Sequence, residues 1–590
     1  MKLAIYRTGL KFDQVYFLFL MVVIATIPTL GISRNVDPLH DAFFFAQAHA
    51  INEGLAINKD IFTAYGPLIP LLLSLTLKIF GDYIIVTRVL GYFTSLISTI
   101  IFYKILKRKL DRNLSLTLAA LPIVLTSGNM EINSPRWIYT GGIWPTSLAL
   151  LLSILGWNYL LKNENRDTEF SSGKVTRVWE SFATGAAVAL LPYCRIQGLV
   201  TYATLIGILI WQSFAYRKEA SKDYSNQGNL VFFLGSLMTH AIIISYIFLR
   251  SSLSESATQL VFAPFGVAGN QGSTYWFSWM KALAISVILS TFLGVSLLIV
   301  CKRITKMSAM TRVFCFALLI LLIAYLFVLG NFYMYPGSIK LRLDLWFLKS
   351  VAGFTSWYWW VAFEFAFIAI ILTLVLNRRN NIAKRSYTQR SFRINTLVFL
   401  SLLPHLFWNF GYVALLFPFS IIILISTPMK DLLGKFGRPA LIVVLNIGII
   451  IGLVTSLIGF IQPSTNYHSK FLRGMSYTKN YGATLDKEIA FLEKYVSSGS
   501  TSFLFCDATL YRVINPVSYR VDKDLFLKPP INLSDYLHKI SGRTDVVVLC
   551  NKDKEMNTLS ADEESKFKII ADSELQFRTR IQVVRFNKDI

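Results

Sequence analysis

Charged side chains are scarce in this sequence. Only 16% of its 590 residues are charged, whereas 54% are hydrophobic, and the mean hydropathy is +0.51. Soluble domains carry about 25% charged residues. This shortage of charge excludes an ordinary water-soluble protein and predicts an integral membrane protein.

Cysteine is also rare. The five cysteines are scattered, with no CxxC pair and no Cys/His spacing, so the sequence supports neither a zinc site nor a redox motif. Cys506 and Cys550 end two similar predicted strands. They could form a disulfide, and two buried free thiols are equally compatible with the pattern.

Acidic residues are outnumbered by basic ones, 34 to 58, which gives a formal net charge of +24. Nucleic-acid binding is one explanation of such a charge, but no RNA- or DNA-binding motif accompanies it. The basic residues instead form short clusters between apolar stretches, such as Lys104–Arg112. That distribution is typical of the cytoplasmic loops of a membrane protein.

Apolar stretches long enough to cross a bilayer recur through the first 462 residues. They predict about thirteen spans, at 15–33, 82–103, 113–128, 139–161, 179–194, 197–215, 229–249, 276–301, 312–329, 353–376, 394–408, 411–427 and 439–461. Lys2, Arg7 and Lys11 place the N-terminus in the cytoplasm. A cleaved signal peptide is less compatible, because no small-x-small cleavage site precedes Arg34. We therefore expect a multi-pass protein of the plasma (inner) membrane.

The character of the chain changes after residue 462. Residues 463–590 hold about half of the acidic residues and no stretch long enough to span. The segments 502–509, 545–553 and 580–586 resemble strands, and 485–496 has helical periodicity. The sequence predicts a small α/β domain here, and an odd number of spans places it outside the cytoplasm.

A long loop, residues 33–81, separates the first two predicted spans. Within it, Asp37-Pro38 is a good helix start, with Asp as N-cap and Pro at the first helical position, and Gly54 is a good helix end. The helix between them has a broad apolar face, so we expect it to lie along the membrane interface.

Asp41 follows in the first turn of that helix, where the helix dipole favours an ionised carboxylate. Held at the membrane face, such a carboxylate could take a proton from an attacking hydroxyl as a general base. The alternative is that Asp41 only complements the dipole on a solvated face.

Several motifs of this region together resemble those of a known family. They are His40-Asp41, Gly54, Asp60, Tyr65-Gly66-Pro67, Phe80-Gly81, and an Arg-containing second span that ends in basic residues, Arg88 to Lys109. This pattern resembles the GT-C superfamily of polyprenyl-phosphate-sugar glycosyltransferases. The similarity is greatest to the branch with protein mannosyltransferases and the aminoarabinose transferase of lipid A.

The resemblance implies an α-helical multi-span fold with an outer α/β domain and a sugar transfer that inverts the anomeric centre. It implies that Asp41 is the catalytic base, with Asp37 and His40 beside it as further catalytic candidates. Many members carry two adjacent acids where this chain has His40-Asp41, so a divalent metal is possible but not certain.

The phosphate of such a donor needs cationic or polar partners near the outer interface. Arg195 lies at a predicted outer turn, where a charge is costly unless it has a role. Its guanidinium could hold phosphate oxygens bidentately. The remaining candidate contacts lie in other outer segments or in loop one: Tyr65, Arg136, Lys340, Arg342 and His405.

The sequence therefore predicts a membrane glycosyltransferase. It would move a sugar from a polyprenyl-phosphate donor to a lipid, glycan or protein acceptor on the non-cytoplasmic face, with membrane lipids as its surroundings. A surface-polysaccharide polymerase or ligase is an alternative, although those enzymes usually place the large outer loop in mid-chain. A transporter or flippase is another, although no internal repeat is detectable.

Overall fold

In the computed structural model, helices dominate the part of the chain that can be described. The structure describes residues 12–127, with short gaps at 28, 35, 37–39, 62, 64–65 and 109, and then residues 145–164, 174–216 except 195, and 223–257. Towards the C-terminus it describes scattered positions between 445 and 460, residues 461–495 except 478–479, and the four strands 501–504, 546–551, 567–574 and 580–586. The prediction of an α-helical chain with several apolar helices is confirmed for this part. The predicted spans between 276 and 427 lie outside it.

The first span and loop one form the beginning of the structure. Helices α1 (Phe12–Thr26) and α2 (Thr29–Ile32) make up a candidate span, and α3 (His40–Asn52) and α4 (Leu68–Phe80) belong to the loop. The second span is α5 (Ile84–Leu106). Gly54 and Gly81 follow α3 and α4 with φ of +91° and +96°. Each helix therefore ends beside a glycine, because L-residues with a side chain rarely adopt this conformation.

The helices that follow are α6 (Arg112–Ser127), α7 (Pro145–Glu164), α8 (Lys174–Val188), α9 (Leu191–Cys194), α10 (Ile196–Tyr216), α11 (Asp223–Arg250) and α12 (Leu253–Ala257). Among the described residues, three helical stretches are long and apolar enough to cross a membrane: Asp13–Ile32, Ile84–Leu106 and Gln227–Arg250. They coincide with the first, second and seventh predicted spans.

Glycine allows two of these helices to approach closely. A Cβ added to Gly185 of α8 would lie 2.0 Å from the backbone oxygen of Phe232 in α11, and one added to Gly235 of α11 would lie 2.3 Å from that of Phe182 in α8. Close contacts between small residues replace the hydrophobic effect as the source of helix association in a bilayer.

Loop one does not lie on the surface. Most side chains of α3 are buried, among them Phe44, Phe45, Ala46 and Ala48. Both its apolar and its polar side chains have neighbours in the fold, and the expectation that this helix lies along the membrane interface stays a prediction. Loop one is part of the core that joins the first two spans.

A segment after the last predicted span packs against this loop. It contains β1 (Thr465–Asn466), a 3-10 turn (Lys470–Leu472), β2 (Ser476–Tyr477) and α13 (Asn480–Tyr495), and β1 pairs antiparallel with β2. We call the part before this helix, residues 460–477, the post-span clip. Helix α13 confirms the helical periodicity that the sequence shows at 485–496.

Four strands follow α13: β3 (Thr501–Leu504), β4 (Val546–Asn551), β5 (Phe567–Glu574) and β6 (Arg580–Phe586). Their order in the sheet is β3-β4-β6-β5, with β3 parallel to β4 and the other neighbours antiparallel. A register shift between Ile569 and Ala571 interrupts the pairing of β5 with β6. The sequence predicted three of these strands and missed β5.

Candidate functional site

Asp41 lies in the first turn of α3 and is buried, with 6% of its surface exposed. Its partner is Arg88, in the second turn of span α5, which is also buried at 5% exposure. The guanidinium meets the carboxylate as a fork. Nε donates to Oδ1 at 3.2 Å, and a terminal nitrogen donates to Oδ2. Planar two-point contacts of this kind are the strongest ion-pair geometry in proteins.

The remaining terminal nitrogen of Arg88 caps the end of the first span. It lies 3.3 Å from the carbonyl oxygen of Gly31, 3.1 Å from that of Ile32 and 2.6 Å from that of Arg34. These are carbonyls at and just beyond the end of a helix, which lack partners within the helix itself. One guanidinium therefore joins the end of span one, the start of the loop-one helix and the start of span two.

The post-span clip is attached to the same place. The backbone N–H of Ser476 donates to the carbonyl oxygen of Ser33 at 2.7 Å. The guanidinium of Arg34 donates to the carbonyl oxygens of Gln462 at 2.7 Å and Phe460 at 2.8 Å. The chain after the last predicted span thus bonds to the residues that end the first one.

Aromatic side chains extend this contact. The ring of Phe471 in the clip packs edge-on against Phe45 and His49 of α3, with centroids 6.2 Å and 5.6 Å apart. Nδ1 of His49 lies 3.0 Å from Oδ2 of Asp82, at the end of the loop. The clip therefore covers the face of α3 that would otherwise expose rings to water.

A second contact connects loop one to the turn between α9 and α10. A Cβ added to Gly66, which has φ of +113°, would lie 2.3 Å from the backbone oxygen of Tyr193 and 3.3 Å from the carbonyl carbon of Cys194. Only glycine allows this approach. The next residue along the chain is Arg195, the predicted phosphate contact.

Polar side chains continue from this turn into the helices. The hydroxyl of Tyr193 lies 2.9 Å from Nδ1 of His240 in α11. The hydroxyl of Tyr202 in α10 lies 2.6 Å from Oγ of Ser236, and its ring packs edge-on against His240. Polar groups inside a span are costly and usually have a role.

The predicted site residues are described unequally. Asp41 lies among the described residues, and of His40 the structure gives only its place as the first residue of α3. The others lie outside the described residues and stay predictions: Asp37, Tyr65, Arg136, Arg195, Lys340, Arg342 and His405. One expectation needs correction. The sequence offered no structural partner for Asp41, whereas the structure gives it Arg88.

Sequence reasoning missed the importance of Arg88 and of the clip. The signal for Arg88 was present, because a lone arginine in an apolar span is expensive without a partner. Nothing in the sequence connects Arg34 with residues near 460, which are more than four hundred positions away.

A divalent metal at loop one would need ligands besides Asp41, whose two carboxylate oxygens bond to Arg88. Among the described residues, no group of three or more His, Cys, Asp and Glu side chains is close enough together to hold a metal ion.

No protein-family profile matches the chain, and no curated protein sequence matches it either. Solved structures with a similar arrangement include ArnT from Cupriavidus metallidurans bound to undecaprenyl phosphate. It aligns over 97% of this chain and 98% of its own, with 11% identity and a TM-score of 0.42. Another is the oligosaccharyltransferase AglB from Archaeoglobus fulgidus in complex with an inhibitory peptide and a dolichol-phosphate. It aligns over 90% of this chain and 69% of its own, with 10% identity and a TM-score of 0.46.

An oligosaccharyltransferase from Archaeoglobus fulgidus in complex with Zn and sulfate aligns with 10% identity and a TM-score of 0.42. One of these neighbours was thus solved with undecaprenyl phosphate, and another, an oligosaccharyltransferase, with a dolichol-phosphate. Their scores lie below the level at which a reaction or a set of residues can be transferred to this chain.

Proposed function

We propose that this protein is a membrane glycosyltransferase. It takes a sugar from a polyprenyl-phosphate donor and transfers it, with inversion, to a lipid, glycan or protein acceptor on the non-cytoplasmic face. The observation that carries the proposal is the buried Asp41–Arg88 pair where two spans meet a loop.

The cost of that pair is the first argument. Removing two charges from water costs several kcal/mol per ion, and a hydrophobic pair of the same volume is often as stable or more so. Charges at the edge of a bilayer are therefore retained mainly where they serve binding or chemistry. Joining spans and loop is one duty of the pair, and a reactive carboxylate held in place is the second.

Asp41 is the proposed general base. A carboxylate has about four lone-pair positions, and Arg88 uses two of them. In the proposed step a carboxylate oxygen of Asp41 takes the proton of an acceptor hydroxyl as that oxygen attacks the sugar. Arg88 then acts as a positioning residue, because it fixes the direction of the carboxylate.

The compartment sets the donor class. Nucleotide sugars are absent outside the cytoplasm, so activated sugar reaches that face on a lipid phosphate. Its departure as a phosphate anion requires donors or cations fixed in advance at the place where the charge develops. Arg195 is the proposed contact, since Cys194 before it lies against Gly66 of loop one. Tyr65, Arg136, Lys340, Arg342 and His405 are the other proposed contacts.

The distribution of charge supports the proposed side of the membrane. Loop one and the post-span clip are in direct contact, so they lie on one side. Basic clusters such as Lys104–Arg112 favour the opposite, cytoplasmic side for the far end of span two. The proposed domains are accordingly a transmembrane unit, 1–462, and an extracytoplasmic α/β domain, 463–590.

The test is transfer by the reconstituted full chain. Proteoliposomes receive a polyprenyl-phosphate sugar labelled in the sugar, together with lipid, glycan or peptide acceptors. We expect label to leave the carrier only with an acceptor present, and Asp41→Asn to reduce the rate about 100-fold or more, the usual contribution of a general base. Asp82→Asn makes the same change just after the loop and is expected to retain activity.

Three results would contradict the proposal in different ways. Flux of a solute or lipid across the vesicle, unchanged by Asp41→Asn and without transfer, indicates a transporter or flippase. Transfer only from a lipid-diphosphate oligosaccharide indicates a polymerase or ligase. Full activity in a folded Asp41→Asn protein removes Asp41 as the base.

A further inference from the structure

The post-span clip contains a tight turn with a cation at each end. Residues Lys470–Leu472 form the 3-10 turn, and the backbone N–H of Arg473 closes it by donating to the carbonyl oxygen of Lys470 at 3.4 Å. Residues three positions apart in such a turn lie on the same side of it. Phe471 and Leu472 between them are buried, whereas Lys470 and Arg473 are exposed. We call Lys470–Arg473 the clip turn.

One contact fixes the clip turn beside the start of helix α3. The ring of Phe471 packs against Phe45, with centroids 6.2 Å apart. Phe45 lies four positions after Asp41 in α3, so the two residues share one face of that helix. The ammonium nitrogen of Lys470 lies 4.6 Å from the centroid of the Phe471 ring. The cation is therefore held next to the ring that packs against the helix of Asp41.

A second contact fixes the other end of the turn beside span α5. Gly474, the residue after Arg473, has φ of +82°, and a Cβ added to it would lie 3.4 Å from Cδ1 of Ile85. Ile85 precedes Arg88 by three positions, which is about one turn of α5. The clip turn thus lies against both elements that supply the Asp41–Arg88 pair.

The clip contributes positive charge without acidic residues of its own. Residues 460–477 contain no Asp or Glu. The first acid after them, Asp486, accepts from the backbone N–H of His468 at 2.9 Å and lies 2.6 Å from Nδ1 of the same residue. Asp41 and Asp82 also have the partners described above. The clip turn therefore adds two cations to the surface beside carboxylates that already have partners.

The position of these cations is unusual for a membrane protein. Lys and Arg are concentrated in cytoplasmic segments, and in the proposed topology the clip lies on the opposite side. Phe460 and Ile461, at the end of the last predicted span, are apolar and exposed, at 45% and 77%, which suits contact with lipid. The clip turn follows a few residues later. Its cations therefore lie close to the level of the lipid phosphates.

The guanidinium of Arg88 is already engaged on all three nitrogens, by Asp41 and by backbone carbonyls. A phosphate that arrives at the loop-one site therefore needs other cations. We propose that Lys470 and Arg473 bind the phosphate of the lipid-carried donor beside this site. The guanidinium can hold two phosphate oxygens, and the ammonium acts as a point charge. This inference rests on the proposed function, and it makes the clip a part of the donor site.

The experiment measures lipid binding by the full chain in an uncharged detergent. Lys470→Gln and Arg473→Gln, alone and combined, remove the cations, and Lys470→Arg keeps the charge. The control combines Lys487→Gln with Lys494→Gln, which removes two exposed charges from helix α13 instead. The probes are undecaprenyl phosphate, the uncharged alcohol undecaprenol, phosphatidylglycerol and inorganic phosphate.

One basic residue near a membrane surface contributes about fivefold to the affinity for an anionic lipid. Lys470→Gln and Arg473→Gln should each weaken binding of undecaprenyl phosphate by that factor, and by about 25-fold together, with undecaprenol unaffected. Lys470→Arg and the α13 control should stay within about twofold of wild type. Wild type should bind undecaprenyl phosphate more tightly than phosphatidylglycerol or inorganic phosphate. All variants should melt close to wild type, because the substituted side chains are exposed.

Several results overturn the inference while sugar transfer by wild type upholds the proposed function. The first is a combined Gln variant that binds undecaprenyl phosphate as tightly as wild type. The second is an equal loss in the α13 control, which indicates a general effect of net charge, and the third is an equal loss in Lys470→Arg. Equal binding of phosphatidylglycerol assigns the turn to bulk lipid, and tight binding of inorganic phosphate alone assigns it to a free anion.

Failure of both proposals has a different signature. Wild type then binds neither undecaprenyl phosphate nor its sugar conjugate, and no variant of the clip turn changes this.

Discussion

Arg88→Met should destabilise the protein strongly, and adding Asp41→Asn should restore part of the loss. Methionine fills a similar volume but strands the buried carboxylate of Asp41, which costs about 3–5 kcal/mol. The carbonyls of Gly31, Ile32 and Arg34 lose their common donor, at about 1 kcal/mol each when no other donor reaches them. Arg88→Met should therefore be among the most destabilising single changes in the described part of the chain.

The second substitution separates charge from shape. Asparagine at position 41 is isosteric with aspartate, and in Arg88→Met it removes the stranded charge while leaving the carbonyls unpaired. We expect the double variant to be more stable than Arg88→Met alone, with a coupling energy of about 2 kcal/mol or more between the two sites. Transfer activity should not return, because the proposed base is absent.

The assay is unfolding in mixed micelles by increasing dodecyl sulfate, followed by tryptophan fluorescence, for wild type, both single variants and the double variant. Lys162 and Glu180 form a half-exposed ion pair that provides the comparison, and their cycle should give about 1 kcal/mol or less. If the Asp41/Arg88 cycle is additive within about 0.5 kcal/mol, the two residues are independent. The account of the site as one connected unit is then refuted.

Two further predictions concern the packing of loop one and the helix beyond the clip. Gly66→Ala should cost more stability than Gly54→Ala. Both glycines have a positive φ, but only the new Cβ at position 66 meets backbone, 2.3 Å from the oxygen of Tyr193. We therefore expect the two variants to differ by about 2 kcal/mol or more in free energy of unfolding in the same assay, and equal costs would contradict the close approach. Burial raises the pKa of Glu488 to about 7 from an unfolded value of 4.5. Below about 4.5 the group is protonated in both states, and as pH rises through 7 the folded state loses stability relative to the unfolded one. Glu488→Gln should therefore be more stable than wild type at pH 8, by up to about 2 kcal/mol in free energy of unfolding, and no more stable at pH 4.5. If the difference in melting between the two proteins does not change with pH across this range, the pKa shift is excluded.

Local features of the fold were predictable because their causes are local. A glycine after an apolar stretch ends α3 and α4, and apolar stretches of sufficient length give spans α1–α2, α5 and α11. The strand β5 was missed because its sequence, FKIIADSE, has a short apolar run and several charges, so its formation depends on pairing with β6. Pairing across a sheet is not visible in one segment of sequence.

The site was predictable only in part, for the same reason. Asp41 was found because its position in a helix and its motif are local. Its partner is 47 residues away, in a span where arginine was noted but not assigned. The post-span clip was not considered at all, because the contact that brings it to loop one joins Ser33 to Ser476 across almost the whole transmembrane unit.

That distant contact also limits the topology. Ser33 follows the first candidate span and Ser476 follows the last predicted one, and in the proposed transmembrane unit their backbone hydrogen bond of 2.7 Å requires both to lie on one side of the bilayer. The chain between them must therefore cross the membrane an even number of times. With the first span included the total is odd, which agrees in parity with the about thirteen spans that apolar length predicts. An even total would place the clip on the far side of the membrane from Arg88. The attachment of the clip to loop one and the predicted topology thus depend on the same interaction, and a cysteine crosslink between positions 33 and 476 in intact membranes tests both.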